Sequence, residues 1–260
     1  MISNRIVLCM KWGSLYGSDY VNVLFNACRK NINGQFQFVC LTDNPTGIDK
    51  SIQTLPIPDI GCSPEMWMQG AWPKLSIFME NLYDLKGRVL FIDMDTVVWG
   101  SLDKFFEYSG SFVGIDTGIN WRPNRLNGGT NALLGTGVFA FNMGEQSQVL
   151  SRFQYDSDAA FKKCGIEQVW VQENVQNISY WPQDWVISFK RWLRRPIGLD
   201  LFLEPKKPAP ETGLIAFHGI PRPIELVRSK GSRWDQFPHM GHGTVGWMRD
   251  YWLENGGNVD

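Results

Sequence analysis

The segment RVLFIDMDTVVWG, residues 88–100, places two carboxylates directly after an apolar run. Residues 89–92 have the composition of a buried strand, and Asp93 and Asp95 follow that strand with one residue between them. Two like charges this close raise each other's pKa unless a cation neutralises them. The pattern therefore indicates a metal site, a nucleophile with its acid/base partner, or a solvated strand end without chemistry.

The segment Asp93-Met94-Asp95-Thr96 resembles two unrelated motifs. In the DxDx[TV] motif of haloacid-dehalogenase-like phosphatases, Asp93 would be the nucleophile and Asp95 the general acid/base, with Mg²⁺. In the DXD motif of nucleotide-sugar glycosyltransferases, both carboxylates hold Mn²⁺ or Mg²⁺, and the metal holds the donor diphosphate. The phosphatase motif normally ends the first strand of its domain, whereas at least two strands precede it here. Position therefore favours the second motif, and the phosphatase is kept as an alternative.

The composition is that of an ordinary folded globule with an excess of aromatic residues. The 260 residues fit one large domain, or one domain with a long appendage, and 43% of them are hydrophobic. The net charge of -1 gives no overall field that favours nucleic acid or an anionic membrane. Twelve Trp suit a sugar-handling protein, because aromatic rings stack on the apolar faces of sugars, although burial in the core is the commoner reason for any single Trp.

Cysteine usage and hydropathy predict where the protein acts. The five cysteines are odd in number and form no CxxC, which is typical of a reduced, intracellular protein. No apolar run approaches the ~18 residues of a transmembrane helix, and the first residues do not form a secretory signal. We therefore expect a cytoplasmic protein without a transmembrane segment, and peripheral contact with the inner face of the membrane is left open.

The elements before the carboxylate pair alternate between strand and helix patterns. Residues 6–10 and 36–41 are short apolar runs, and apolar residues at helical spacing lie between them at 20–27. A strand, helix, strand order predicts a parallel α/β sheet. Ligands of such sheets bind at the carboxyl ends of the strands, where Lys11-Trp12, Thr42-Asp43 and the Asp93–Asp95 pair all lie. We expect these polar groups to converge at one edge.

The remaining sequence predicts further elements with less regular patterns. They are an excursion at 44–72, a helix opened by Pro73, strands at 112–115, 138–141 and 214–217, a loop at 117–132, a helix over 145–163, a mixed segment at 167–175, irregular structure from 181, and a C-terminal tail at 226–260 whose order the composition does not decide.

With these segments added, the chain resembles a GT-A glycosyltransferase of a bacterial branch related to glycogenin-like and lipopolysaccharide-galactosyltransferase-like enzymes. The resemblance covers about residues 5–225 and depends on segments in the expected order. Those segments are CMKWGSLYGSDYVNVLF (9–25, opening strand and nucleotide loop), FVCLTDNPTGID (38–49, base-contacting turn), WPKLSIF (72–78, a helix with a basic donor contact), RVLFIDMDTVVWGSLD (88–103, the DXD), GTGVFAFNMGE (135–145, acceptor-side strand), EQVWV (167–171) and FHGIPRP (217–223).

The resemblance implies a fold, a domain layout and an activity. The fold is a Rossmann-like nucleotide-binding half with a mixed, mostly parallel sheet flanked by helices, at about 1–103, and an acceptor-side half at about 104–225. The activity is metal-dependent transfer of a hexose from a nucleotide-diphosphate sugar, with UDP the preferred nucleotide, to a glycan or lipid-linked hydroxyl acceptor in cell-surface polysaccharide synthesis. A non-catalytic nucleotide-sugar-binding protein on the same fold is a second alternative.

The resemblance also implies roles for individual residues. The metal ligands are Asp93, Asp95 and His218. Residues expected to bind the donor are Lys11, Trp12, Tyr16, Thr42, Asp43, Lys74, Asp93, Gly219 and Arg222, with Lys190 a further candidate cation. Arg222 stands where the family usually has Lys, and Arg also binds phosphate.

The stereochemistry of transfer stays open at the sequence level. An inverting reaction needs a carboxylate base, which Glu167 or Asp116 could supply. A retaining reaction, which the nearest relatives favour, needs no strong base, and Gln168 or Asn142 would steady the oxocarbenium-like state. Glu167 stands where the family has Asp, so its catalytic role follows less directly than the metal site does.

Overall fold

The computed structural model describes residues 5–118, 121, 132–228 and 233–259. Within them, ten strands form a seven-stranded sheet of order β3-β2-β1-β4-β7-β6-β8 and a small sheet of order β5-β10-β9. The strands are β1 Arg5–Lys11, β2 Gln37–Thr42, β3 Gln53–Leu55, β4 Arg88–Ile92, β5 Thr96–Val98, β6 Phe112–Asp116, β7 Leu134–Asn142, β8 Ile178–Tyr180, β9 Val186–Ser188 and β10 Leu214–Ala216.

The α-helices flank both faces of the large sheet. They are α1 Ser18–Asn31, α2 Pro64–Met68, α3 Asp103–Glu107, α4 Gln148–Tyr155, α5 Ser157–Cys164, α6 Glu167–Asn174, α7 Pro223–Val227 and α8 Gly246–Glu254, with 3₁₀ turns at Trp72–Phe78 and Leu199–Leu201 and a π turn at Phe189–Leu193. None of the helices in the described ranges is both long enough and apolar enough to cross a membrane.

The central strands are apolar on both faces because each face carries a separate core. In β1, Val7 and Cys9 pack on the side of α1, whereas Ile6 and Leu8 pack on the side of the 3₁₀ turn at 72–78 and of α4. Successive side chains of a strand point to opposite faces, so a continuous apolar run fills both cores. This explains why β1, β2 and β4 show no polar alternation in the sequence.

One strand of the large sheet runs against the others. The strand β7 pairs antiparallel with both β4 and β6, and the other pairings of the sheet are parallel. The amino end of β7 therefore lies at the edge where β1, β2 and β4 end. There the backbone N–H of Asp93 donates to the carbonyl of Gly137 at 2.8 Å, which joins the end of β4 to the start of β7.

The C-terminal segment packs against the start of the chain. In α8, Met248, Tyr251 and Trp252 are buried. The Trp252 ring meets the ring of Tyr20 edge to face, with centroids 5.0 Å apart, and the Tyr251 hydroxyl accepts the backbone N–H of Val98 at 3.2 Å. The described residues 233–259 therefore contribute to the core beside α1.

Several predicted elements differ in detail from the observed ones. The single helix expected over 145–163 is wrong, since Asp156 interrupts it and caps α5 by accepting the N–H of Ala159 at 2.9 Å. The helix opened by Pro73 is a 3₁₀ turn, the excursion at 44–72 contains β3 and α2, the mixed segment at 167–175 contains α6, and the region from 181 contains β9 and a π turn. Most of the loop predicted at 117–132 lies outside the described residues.

Candidate active site

The two carboxylates lie at the turn between β4 and β5, and Asp93 has a buried cationic partner. The Lys74 ammonium lies 3.0 Å from the Asp93 carboxylate. The side chain of Lys74 is 4% exposed, and a buried charge of this kind is stable only when it is paired. The Lys74–Asp93 pair is therefore part of the internal structure of the site.

A second buried carboxylate completes this ion cluster. The Glu167 side chain, at the start of α6, lies 3.1 Å from the Lys74 ammonium. Thr136 donates its hydroxyl to Glu167 Oε1 at 2.6 Å, and its carbonyl accepts from Lys74 at 3.3 Å. One lysine and one threonine thus hold the carboxylates of Asp93 and Glu167 on either side of the ammonium.

The backbone around Lys74 is unusual in a way that positions this cluster. Gly70 has a φ of 98°, and its carbonyl accepts the backbone N–H of Glu167 at 2.9 Å, which fixes the start of α6. A Cβ at Gly70 would lie 2.8 Å from the carbonyl oxygen of Gly165, so only glycine fits there. Ala71 is also left-handed, with a φ of 56°, and it precedes the 3₁₀ turn that carries Lys74.

The environment perturbs the titration of both aspartates. Burial raises the pKa of Asp93 to about 7; Lys74 opposes that rise and the neighbouring Asp95 adds to it. Burial likewise raises the pKa of Asp95. Two neighbouring carboxyl groups with raised pKa values are typical of a site that binds a cation or exchanges protons.

The first of two cavities at this site has an aromatic wall. It measures about 220 Å³ and is lined by Trp12, Tyr16, Trp67 and the two aspartates, among others. The Tyr16 hydroxyl donates to Asp95 Oδ2 at 3.0 Å, and burial together with that carboxylate raises the pKa of Tyr16. The structure thus brings Trp12 and Tyr16 to the Asp93–Asp95 pair, as the sequence predicts.

The second cavity, of about 430 Å³, opens on the other side of the same pair. Its lining includes Glu167, Gln168 and His218, which come from distant parts of the sequence. The two cavities share four residues, Ala71, Lys74, Asp93 and Asp95. The aspartates therefore stand between two compartments, each large enough for part of a substrate.

His218 reaches the second cavity as a neutral group. Burial and the nearby cations Lys190, Arg191 and Arg194 lower the pKa of His218 to about 4. Its Nε2 forms a hydrogen bond of 2.8 Å with the hydroxyl of Ser188. A neutral imidazole is the form that ligates metal ions.

The three side chains predicted to be metal ligands have the chemistry that suits a hard divalent cation. Asp93, Asp95 and the neutral His218 all line the second cavity, and carboxylate oxygens with an imidazole suit Mn²⁺ or Mg²⁺. Across the described ranges, no three His, Cys, Asp or Glu side chains are grouped closely enough to hold a metal ion by themselves. A bound cation would take further oxygen ligands from water or substrate, as Mg²⁺ commonly does.

Other predicted site residues lie at the margin of the two cavities. Asp43 accepts the backbone N–H of Gly13 at 2.8 Å, and Thr42 and Lys11 contact the backbone of Asn44. These contacts fix the loops that follow β1 and β2. Lys11, Thr42 and Asp43 line neither cavity, and Asp43 holds the backbone next to Trp12, which lines the first one.

Arg222 and Gly219 lie near the site, but they line neither the first nor the second cavity. Arg222 forms an ion pair of 2.7 Å with Glu225 and lines a separate cavity, which has Leu15 in common with the first one. Gly219 has a φ of 68°, and Lys190 donates to the carbonyl of His218 beside it. Two nitrogens of the Arg222 guanidinium, Nε and Nη2, donate to Glu225.

Asp116 is held by the backbone at the end of β6. Its Oδ1 accepts the N–H of Gly118 at 2.9 Å and that of Leu133 at 3.3 Å. The second cavity is lined by its neighbours Ile115 and Thr117 instead. Asp116 therefore orders the turn on which these neighbours lie.

Sequence reasoning missed three residues that shape the site. Thr136, Ser188 and Trp121 contact Glu167 or His218, and the Trp121 ring centroid lies 5.7 Å from that of His218. Thr136 lies inside the segment GTGVFAFNMGE, whose resemblance pointed to a strand. No sequence signal identifies Ser188, because its partner is thirty positions away.

Comparison with known proteins identifies the fold. Neither a protein-family model nor a curated protein matches the chain. Solved structures of bacterial glycosyltransferases do match. The galactosyltransferase LgtC, solved with donor and acceptor sugar analogs, has a TM-score of 0.55 at 10% identity, with 84% of this chain and 89% of LgtC covered.

Two further glycosyltransferases match over almost the whole chain. GlyE from Streptococcus pneumoniae TIGR4 has a TM-score of 0.57 at 14% identity, over 96% of this chain and 60% of GlyE. The bifunctional WbbM has a TM-score of 0.59 at 12% identity, over 97% of this chain and 49% of WbbM. The chain thus spans most of LgtC but only about half of the two larger proteins. The predicted GT-A fold is confirmed.

Proposed function

We propose that this chain is a glycosyltransferase that moves a sugar from a nucleotide-diphosphate donor, with UDP the preferred nucleotide, to a hydroxyl of a glycan or lipid-linked acceptor. The observation that carries the proposal is the position of Asp93 and Asp95 between two adjoining cavities, at the ligand-binding edge of a GT-A sheet. One cavity would take the nucleotide and the other the two sugars. The similarity of the fold to LgtC, GlyE and WbbM supports the same activity.

The first cavity suits a nucleotide. Its aromatic lining, with Trp12 and Tyr16, offers faces on which a base can stack. Asp93 and Asp95 would hold Mn²⁺ or Mg²⁺, which would supply positive charge to the diphosphate as the sugar leaves. His218 would become a third ligand by moving closer to these two carboxylates. The Tyr16 hydroxyl donates to the Asp95 carboxylate and so holds it in place between the two cavities.

The second cavity suits the sugars, and its side chains favour transfer with retention. In the reaction the acceptor oxygen bonds to the anomeric carbon, and the bond from that carbon to the diphosphate oxygen breaks. Glu167 is engaged by Lys74 and Thr136, and Asp116 is not among the residues that line this cavity, so neither predicted base is well placed to take a proton there. Gln168 lines the cavity and can donate to a substrate hydroxyl.

Two other functions remain alternatives. A binding protein without turnover would keep the aromatic wall and still hold the nucleotide. A phosphatase would transfer a phosphoryl group to Asp93, but the similarity of the fold to glycosyltransferases supports the transferase. For the setting of the transferase, we propose cell-surface polysaccharide synthesis at the cytoplasmic side of the membrane, as the family resemblance implies.

The proposal is tested by binding and turnover. Isothermal titration of UDP with Mn²⁺ and then with EDTA, with GDP and CDP as competitors, should give metal-dependent binding that favours one nucleotide. Release of UDP from UDP-sugars should be lost in Asp95→Asn and kept in Asp158→Asn, whose carboxylate is exposed on α5. Wild-type rates in Asp95→Asn would refute the metal-site model, and binding without release of UDP would favour the binding protein.

A further inference from the structure

An apolar loop projects from the protein between the π turn and the segment before β10. We use the name apolar loop for residues 197–203, Ile-Gly-Leu-Asp-Leu-Phe-Leu. Ile197 is 61% exposed and Phe202 is 82% exposed, and the three leucines are exposed as well. The only charged residue of the loop, Asp200, is buried at 6% exposure. The loop is thus inverted relative to an ordinary surface loop, which turns its charge outward.

The buried Asp200 accounts for the inversion. Its Oδ2 accepts the backbone N–H of Met240 at 2.8 Å and forms a hydrogen bond of 3.1 Å with His239, while Oδ1 accepts the N–H of Gly198 at 3.0 Å. The carboxylate therefore anchors the loop to the body of the protein. The apolar side chains on either side of it are turned outward.

Hydrogen bonds also close the two ends of the loop. The Arg195 Nε donates to the carbonyl of Glu204 at 2.8 Å, and the N–H of Lys206 donates to the carbonyl of Leu193 at the same distance. A closed, anchored loop of this kind holds its shape before any partner arrives. Binding through it would therefore cost little conformational entropy.

Cations surround the apolar loop. Arg195 lies at one end of it, and Lys206 and Lys207 lie exposed at the other. Within residues 195–207 the acids are the buried Asp200 and the exposed Glu204, which accepts the backbone N–H of Gly246 at 3.2 Å. The three cations therefore outnumber the one exposed acid. Phe237, 85% exposed, lies on the segment to which Asp200 is anchored. Exposed apolar side chains bordered by lysine and arginine are complementary to a surface with an apolar interior and an anionic outer layer.

We propose that the apolar loop is a membrane-docking element that binds bilayers with anionic headgroups. Phe202 and Ile197 enter the boundary between headgroups and acyl chains, and Arg195, Lys206 and Lys207 contact the phosphates. The exposed apolar side chains fit a bilayer because their transfer out of water is favourable there. This inference deepens the membrane setting of the proposed function. It does not depend on sugar transfer, because docking needs neither donor nor acceptor.

Vesicle sedimentation of the full chain tests the proposal. We expect the protein to bind anionic vesicles that contain about 30% phosphatidylglycerol. It should bind vesicles of pure phosphatidylcholine at least about tenfold more weakly. Phe202→Ser should lower binding by about tenfold, because it removes the most exposed apolar side chain of the loop. Tyr155→Ser is the matched control, since Tyr155 is 92% exposed on α4, and its binding should equal that of the wild type.

The charged rim is tested in the same way. The double variant Lys206→Gln/Lys207→Gln should lose most of the binding to anionic vesicles, whereas Lys162→Gln/Lys163→Gln, an adjacent exposed pair on α5, should not. Release of UDP in solution should be unchanged in Phe202→Ser, so a failure of docking is separable from a failure of catalysis.

Three results would overturn the docking proposal. One is a wild-type protein that does not bind anionic vesicles at low salt. Another is binding that Phe202→Ser and the lysine pair leave intact. The third is a dimer, measured by light scattering, that Phe202→Ser converts to a monomer, because the apolar loop would then be an interface between two copies of the chain.

Discussion

Replacing Lys74 by Met should destabilise the protein because it leaves two buried carboxylates without their cation. The Lys74 ammonium lies 3.0 Å from Asp93 and 3.1 Å from Glu167, and the side chains of Lys74 and Glu167 are both buried. Met keeps the length and the apolar stem of Lys, so packing is largely conserved. The loss of stability can then be attributed to the removal of the Lys74 charge alone.

The size of the effect follows from the cost of breaking a buried ion pair. Removal of one partner costs about 3–5 kcal/mol. For a chain of 260 residues, an unfolding entropy of about 2.1 cal/mol/K per residue amounts to roughly 0.55 kcal/mol/K. The melting temperature should therefore fall by about 5–9 °C at pH 8, and by less at pH 5, where Asp93, whose pKa is raised, can take up a proton.

The assay is thermal unfolding by circular dichroism at pH 5 and pH 8, with Lys86→Met as the matched control. Lys86 is exposed, so its replacement should change the free energy of unfolding by at most about 0.5 kcal/mol. Adding Glu167→Gln to Lys74→Met should recover part of the loss, because one uncompensated charge is removed. Equal melting temperatures for Lys74→Met and the wild type at pH 8 would refute the ion cluster as a structural unit.

Four other predictions concern the site and the C-terminal helix. Thr136→Val should lower the rate of UDP release from the donor by about tenfold and Thr136→Ser should restore it, since the lost hydrogen bond to Glu167 is worth about 1–3 kcal/mol. Because the pKa of Asp93 is about 7, its ionised fraction rises from about 9% at pH 6 to about 91% at pH 8, so calorimetry should show Mn²⁺ binding about tenfold tighter at pH 8. The same raised pKa means that the folded state holds this proton more tightly than the unfolded chain, so the metal-free protein should lose stability, measured by urea unfolding, as the pH rises from about 4 to about 7. Trp252→Ala should lower the free energy of unfolding by about 3–5 kcal/mol in urea titration, because the ring is buried against Tyr20.

The net charge of the chain does not reveal the local cluster of cations on which the docking proposal depends. A total of -1 predicts no attraction to anionic membranes, because it averages over the whole surface. The segment around the apolar loop, in contrast, carries Arg195, Lys206 and Lys207 against a single exposed acid, Glu204. Whether a carboxylate such as Asp200 points inward or outward depends on its tertiary partners.

The strands and their chemistry could be read from the sequence because they depend on local patterns. The apolar runs of β1, β2 and β4 predict buried parallel strands, and polar residues just beyond them predict a ligand site at their carboxyl ends. The structure has this arrangement, with Trp12, Asp93 and Asp95 around one cavity. Residues close in sequence to a strand end are positioned by that strand, so little else is needed to place them.

The partners of these residues were decided only by the tertiary structure. Lys74, which the resemblance assigns to the donor site, lines both cavities. Its ammonium also lies between Asp93 and Glu167, which are separated from it by 19 and 93 positions in the chain. The antiparallel strand β7 brings Thr136 to the same point. Composition and spacing do not encode such contacts, because they arise when distant segments pack and each buried charge must find an opposite charge or a hydrogen bond. The sequence therefore determined which groups could do chemistry at the sheet edge, and the packing of distant segments decided which of them are held by the protein itself and which face the cavities.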